Sequence, residues 1–471
     1  VPAPAAAAPV ADTTPPALPT TPPTLAPPPT LALPPIETRQ LANGMKLVVV
    51  EQHELPVVDF VLLVRTGSEA DPIGRSGLAS LTADMLDEGT TTRNALQVAD
   101  QEAYLGVALG TGSGWDASQV VLHTTTAQLD SALALFADVA LHPSFAASDF
   151  ARVKQQRLTE LVQVKDHAPA IADRAFAAIV YGPRHPYGHA PTGTESSVRA
   201  ITRRDIQRFY DTYYRPNNAT LIVVGDITAA DAERRVSARF GDWQREPVPP
   251  TTYGATPRKS ATTLYLIDKP GAAQSSIRIG GVGVPRATSD YFALQVMNTI
   301  LGGSFTSRLN QNLRETHGYT YGAFSGFSMR HEAGPFTARA EVVAAKTDSA
   351  MVEFLKELRA IRDTVPSAEL QKAKRYLELQ LPGDFESTGD IARQLVPVAL
   401  YDLPLDFYDG YVQHLEGVSQ TEVQRVARRY VEPDSMTVVI VGDRRTIESG
   451  LRALDLGPVS LRNLEGEAAQ P

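Results

Sequence analysis

Asn218-Ala-Thr-Leu-Ile-Val-Val-Gly-Asp226 is an apolar, mostly β-branched run closed by Gly-Asp, the pattern of a fully buried strand. It returns as Ser435-Met-Thr-Val-Val-Ile-Val-Gly-Asp443, and 443 − 226 = 217. The same offset carries Leu47 onto Leu264, at the start of Leu264-Tyr-Leu-Ile-Asp268. The helices expected before the two strands agree as well, Ile201–Tyr214 with Val418–Tyr430. Landmarks at opposite ends of a segment that share one offset indicate duplication of an α/β unit of roughly 200 residues, a period far too long for a solenoid. The expected fold class is therefore α/β (α+β), with two homologous, duplicated α/β domains joined by a linker.

Working outward, the two copies occupy 37–245 and 261–460. Between them, Glu246-Pro-Val-Pro-Pro250 through Pro257 reads as a linker, taken as 246–260, and 461–471 reads as a C-terminal tail. Residues 1–36 are a different material: 13 of the chain's 35 prolines, many alanines and threonines, and a single charge, Asp12. Such a segment cannot form a helix or bury a core, so it reads as an extended spacer. Tails of this kind are common on exported bacterial proteins, and the chain has no cysteine. A periplasmic or secreted location is the expectation.

Composition narrows the function classes. At 43% hydrophobic and 21% charged, the chain fits a globular protein, and a formal charge of −9 gives no reason to expect nucleic acid as a partner. No run approaches the ~18 apolar residues of a membrane span. Without cysteine there is no disulfide, no thiolate metal site and no thiol nucleophile.

Within the first copy, Lys46–Val50 and Val57–Arg65 read as strands, and Gly106–Thr126 as two strands around a Gly-rich turn with Trp115 and Asp116 at its exit. Helices are expected at Asn94–Leu105, capped by Asn94, and at Leu129–Leu141, Ser148–Val164, Pro169–Val180 and Thr202–Tyr214. A further helix is expected in Gly77-Leu-Ala-Ser-Leu-Thr-Ala-Asp-Met-Leu-Asp-Glu-Gly-Thr90, where Leu78, Leu81 and Met85 recur at helical spacing. On that helix Ser80, Ala83 and Asp84 share another face, because positions three and four apart are neighbours.

This frame resembles the signature of the insulinase/pitrilysin zinc peptidases: Gly-Leu-Ala, then His-x-x-Glu-His, then Met-Leu and a closing Gly-Thr. In that family the two His bind zinc and the Glu activates water. Here the three functional positions hold Ser80, Ala83 and Asp84. The resemblance extends over about residues 37–460. It takes in Leu41-Ala-Asn-Gly44, Asp138-Val-Ala-Leu-His-Pro-Ser-Phe145, His185-Pro-Tyr-Gly188 and Tyr213-Tyr-Arg-Pro-Asn217. Leu301-Gly-Gly-Ser-Phe-Thr-Ser-Arg-Leu309 and Leu313-Arg-Glu-Thr-His-Gly-Tyr-Thr-Tyr321 carry it into the second copy. It implies domains of the LuxS/MPP-like metallopeptidase type.

The resemblance also implies site residues. The family's third zinc ligand is a Glu on a later helix, and 160 − 84 = 76 puts Glu160 at the matching place. Its companion acidic position falls on Val153. A serine and two carboxylates are a poor zinc set, so no metal is expected in this chain, and Asp84 and Glu160 are expected to be solvated or paired with a base such as Arg157. Restoring His, Glu and His at the three positions is expected to bring back zinc affinity. In the second copy of the family unit, an Arg and a Tyr seven residues on contact the substrate's carbonyl oxygen; 321 − 314 = 7, so Arg314 and Tyr321 match. A guanidinium and a phenol O–H suit a developing oxyanion. Arg308 and Tyr319 are a less well matched pair. Gly110, Gly112 and Gly114 lie where the family receives a substrate backbone by strand addition, and equally suit a plain turn.

Two other ideas carry less. His185 and His189 flank a Pro-Tyr-Gly turn and have no third ligand in sequence reach. Ser80 with Asp84 lacks the histidine and sharp elbow of a hydrolytic serine. The expected function is a non-catalytic, substrate-binding subunit of a heterodimeric zinc peptidase. It would be inactive alone, with zinc in a homologous partner bearing His-x-x-Glu-His and an unfolded peptide as substrate. The family's mitochondrial processing peptidase and its paired bacterial subunits are of this kind. The processing peptidase's long Gly-rich loop is absent here, where only Gly302-Gly303 stand near that place, which favours the bacterial pair type. The alternative is a stand-alone pseudopeptidase with a structural or peptide-binding role.

Overall fold

The computed structural model describes residues 34–256 and 260–468; the Pro/Ala-rich tail up to residue 33 and residues 257–259 and 469–471 lie outside the described residues. The first copy builds a sheet from β1 (Ile36–Gln40), β2 (Lys46–Glu51), β3 (Val57–Val64), β4 (Ala108–Ser113), β5 (Ser118–Thr125) and β6 (Ala219–Gly225). The second uses β7 (Thr263–Asp268), β8 (Gln274–Val282), β9 (Thr320–Phe327), β10 (Pro335–Val343), β11 (Thr437–Gly442) and β12 (Val459–Arg462). Their orders are β1-β2-β6-β3-β5-β4 and β12-β7-β11-β8-β10-β9. In each, the strand ending in Gly-Asp runs parallel to the first long strand, Ile222 beside Val48 and Val438 beside Leu264. The duplication offset survives in three dimensions: 263 − 46 = 217 for β2 and β7, and 420 − 203 = 217 for the helices Arg203–Tyr213 and Gln420–Tyr430.

Strands β2 and β6 are apolar at nearly every position because both faces of the sheet are covered. Leu47, Val49, Leu221 and Val223 face the first copy's own helices, including Leu133 and Phe136. Val48, Val50, Ile222 and Val224 face the other way, onto Ile391, Leu395 and Val398 of the helix Thr388–Leu400, which belongs to the second copy. The exchange is reciprocal. The first copy's helix Ala168–Tyr181 lays Ile171, Ala175 and Phe176 against Tyr265, Ile267, Val439 and Val441 of the second sheet.

Each exchanged helix is also tied down by charge. Arg278 on β8, 2% exposed, donates to Asp173 (2.6 Å) on the incoming helix and to Glu341 (3.0 Å) on β10. Asp59 on β3 accepts from Thr388 (2.5 Å) at the start of the other helix and contacts His123 Nδ1 (3.0 Å). The linker segment is anchored where Tyr253 packs against Tyr187 and His331.

Three expectations need correcting. The Gly77–Thr90 stretch is helical only over Leu78–Asp84. Beyond it, Gly89 takes a positive φ of 121° and Thr90 bridges to Pro143, so the chain leaves the helix after two turns. The 461–471 tail begins too early, since Ser460–Arg462 pair with β7 and Leu464 packs beside the Ala168–Tyr181 helix. The strand pair expected from Gly106 starts only at Ala108, because Gly106 instead ends the helix Ala95–Leu105 at a φ of 63°.

Candidate functional site

The Leu78–Asp84 helix starts from Gly77 at a φ of 95°, and the Asp71 carboxyl accepts from the backbone N–H groups of Gly77 (2.7 Å) and Ala79 (2.8 Å). That capping satisfies donors the helix itself leaves open. Leu78, Leu81 and Met85 enter the core, so Ser80 and Asp84, one turn apart, face the helix Ala147–Val164. Opposite them stands Arg157, with a side chain only 9% exposed. Its guanidinium donates to Ser80 Oγ (3.1 Å), Asp84 Oδ2 (2.5 Å) and Glu160 Oε2 (3.2 Å), and to the Thr192 carbonyl (3.4 Å). The three positions that would present metal ligands are gathered around an arginine instead. Burial pushes the Asp84 carboxyl above its ordinary range, and the charge of Arg157 opposes that rise.

This donor set does not fit zinc. A hydroxyl and two carboxylates already paired to a guanidinium offer no deprotonated nitrogen, and a divalent ion would share the site with a fixed cation. Among the described residues, no group of three or more His, Asp or Glu is placed to hold a metal. Ala83, the position of the family's water-activating Glu, is fully buried, and Val153 is buried and apolar.

Two glycines set the floor of the cleft. Gly193 has a φ of 75°, and a Cβ on it would lie 2.2 Å from the Ser76 carbonyl oxygen. A Cβ on Gly77 would lie 3.0 Å from that of Thr192. Only this close approach brings the Thr192 carbonyl to Arg157. Gly193→Ala is expected to cost about 2–3 kcal/mol, from the left-handed backbone and the clash together, read as a lowered Tm in thermal melts.

The second pair lies in the other copy. Arg314 ends the short helical segment Gln311–Thr316, with its guanidinium 4.4 Å from the Phe305 ring centroid and Nε 3.5 Å from Glu315. Tyr321 lies on β9, the free edge of its sheet, and is 91% exposed. The pairing of β9 with β10 shifts there: Ala323 faces Ala340 while Thr320 faces Val342, a bulge that turns Tyr321 outward. Thr320 Oγ1 holds the bulge by donating to the Glu341 carbonyl (2.7 Å). Among the described residues, no hydrogen bond or ion pair joins Arg314 or Tyr321 to Ser80, Asp84 or Glu160. Arg308 is committed elsewhere, to Glu369 (2.8 Å) and the Thr364 carbonyl (2.7 Å), and Tyr319 stacks on His317.

β4 is the free edge of the first sheet, with Gly110 opposite Val121 and Gly112 opposite Gln119. Gly112 has open space where a side chain would stand, whereas Gly114 sits in the hairpin turn, donating to the Ala117 carbonyl (2.8 Å). His185 is buried and its Nδ1 accepts from the Tyr187 N–H (3.0 Å), so it serves the turn.

Comparison with known proteins gives the family. Residues 46–185 match the family model described as Insulinase (Peptidase family M16), and residues 200–377 match the one described as Peptidase M16 inactive domain. The chain belongs to the peptidase M16 family. An M16 relative from Mycobacterium bovis, named an uncharacterized zinc protease, is 26% identical over 422 residues, covering 88% of this chain and 95% of its own. Zinc protease PqqE of Helicobacter pylori is 24% identical over 415 residues, covering 86% and 92%. A crystal structure from Pseudomonas fluorescens, titled peptidase M16 inactive domain, superposes with a TM-score of 0.81 at 29% identity, covering 87% of this chain and 98% of that one. Within the M16 fold, this member keeps the helix, and Arg157 draws Ser80, Asp84 and Glu160 together on it.

Proposed function

We propose that this M16 chain is the non-catalytic, substrate-clamping subunit of a two-chain zinc peptidase, lending Arg314 and Tyr321 to the active site of a homologous partner that carries His-x-x-Glu-His. The observation that carries the reading is the contrast between the two copies. In the first, the metal positions are satisfied internally by Arg157; in the second, Tyr321 stands 91% exposed with no internal task. An exposed tyrosine on a bulged edge strand, with a partly exposed arginine seven residues before it in the chain, is poorly explained by packing and well suited to contact from outside. In the assembled pair the Tyr321 hydroxyl would donate to the substrate oxygen as it gains charge, and Arg314 would hold the same region of the peptide. The free edge of β4, with Gly110 and Gly112, would take an extended peptide backbone. The missing cysteines and the Pro/Ala-rich tail support a location outside the cytoplasm.

Mixing the chain with a zinc-bearing M16 homologue from the same source tests the assembly. The pair is expected to elute as one species of summed mass and to cleave peptides that this chain alone leaves intact. Unchanged elution, with no gain in turnover over the homologue by itself, would leave the chain as a stand-alone pseudopeptidase.

A further inference from the structure

Arg157 is not the only guanidinium at the floor of the degenerate site. Arg174, on the exchanged helix Ala168–Tyr181, reaches the same loop, and its Nη2 donates to Thr192 Oγ1 (2.9 Å) while Arg157 Nη1 donates to the Thr192 carbonyl (3.4 Å). The two cations differ in how they are balanced. Arg157 faces Asp84 and Glu160. Arg174, half-buried, has no ion-pair partner among the described residues, and the one charged group acting on it is Arg157, which repels it. Burial and that repulsion both weaken its hold on its proton.

A half-buried cation whose neighbour is another cation is a standing electrostatic cost. Two other deeply set arginines have no cation for a neighbour: Arg278 faces Asp173 and Glu341, and Arg330 lies over the Trp115 and Tyr187 rings at 3.8 and 4.6 Å, although its buried Nη1 has no hydrogen-bond partner among the described residues. Around Arg174 the compensating group is missing from the chain itself, and its remaining donors are unused among the described residues. Solvent reaches this region, since the Asp84 and Glu160 side chains that share Arg157 are 34% and 49% exposed.

We propose that Arg174 and Thr192 form a carboxylate-binding subsite, which takes an acidic side chain or free C-terminus of a peptide lying against the loop where the two guanidinium groups converge. A guanidinium offers two parallel donors to a carboxylate, and Thr192 fixes the plane of the fork from one side. The site would have exchanged one charge preference for the other, from a cation held by ligands to an anion held by arginine. This inference rests on the reading of the chain as a peptide-binding subunit.

The test needs only the full chain and labelled peptides, with binding read by fluorescence anisotropy. Four matched peptides separate the two carboxylate sources: Glu or Gln at an internal position, each with a free or amidated C-terminus. The wild-type chain is expected to prefer one carboxylate form roughly tenfold to a hundredfold over its neutral counterpart, the range of a charged hydrogen-bonded pair. Arg174→Met, which keeps the aliphatic stem, should abolish that preference while leaving the fully neutral peptide's affinity unchanged, and Arg174→Lys should restore part of it. Equal affinity for all four peptides, or a preference that survives in Arg174→Met, overturns the subsite but leaves the peptide-binding reading standing. A wild-type chain that binds none of the four overturns both.

Discussion

Replacing Tyr321 by Phe is expected to lower the kcat of the proposed pair about a hundredfold to a thousandfold and to leave KM nearly unchanged, the loss typical of one oxyanion donor. The substitution removes only the hydroxyl, and at 91% exposure the ring has little packing to lose, so stability and assembly should be untouched. The asymmetry between kcat and KM follows from when the interaction matters: a donor aimed at an oxygen that becomes negative gains strength only as the reaction proceeds. Arg314→Lys should also slow turnover, because an ammonium cannot reproduce the planar fork, and because the guanidinium stacked on Phe305 loses its flat face. Neither variant should change the partner's zinc content. Steady-state kinetics on the reconstituted pair decide the matter. Unaltered kcat for Tyr321→Phe removes the oxyanion role, and unaltered kinetics for both variants reduce this subunit to a scaffold.

The second large effect concerns metal. The triple variant Ser80→His, Ala83→Glu, Asp84→His is expected to stay essentially free of zinc, whereas adding Arg157→Gln should allow about one zinc per chain. Here the structure revises the sequence expectation that three substitutions suffice. Arg157 places its nitrogens 2.5–3.2 Å from the side chains of Ser80, Asp84 and Glu160, in the space their common ligand would occupy. Neutral imidazoles at 80 and 84 would remove a negative charge and leave the guanidinium in place, so an incoming dication would meet a fixed positive charge at short range. Ala83 adds a steric obstacle, since a Glu there must find room among fully buried neighbours. Elemental analysis after dialysis distinguishes the cases; stoichiometric zinc in the triple variant with Arg157 intact would show that the guanidinium yields.

Much of the fold could be read from the chain because duplication leaves an arithmetic trace: an offset of 217 that holds from β2 to the Gln420–Tyr430 helix. Strands β1 and β12 escaped for a physical reason. Ile-Glu-Thr-Arg-Gln is a partly charged edge strand with no apolar alternation, and Val-Ser-Leu-Arg alternates over only four residues, too short a run to stand out. The pairing of Arg157 with Asp84 and Glu160 was within reach, since a helix brings Glu160 within three positions of Arg157. Arg174 was not: a single arginine in an amphipathic helix looks like any surface charge until its neighbours are known. The exchange of helices between copies was equally hidden, because Ile171 and Ile391 show only that a face is buried, never which sheet buries it.

That exchange has a consequence for how the chain is made. When residue 245 leaves the ribosome, the first sheet is complete, yet the helix that covers Val48, Val50 and Ile222 begins only at Thr388. For the time needed to add about 140 more residues at ~5–20 per second, an apolar sheet face stays wet, and the Ala168–Tyr181 helix has no sheet to dock on. Neither sheet is covered on both faces until its twin has emerged, so the two copies complete their folding together.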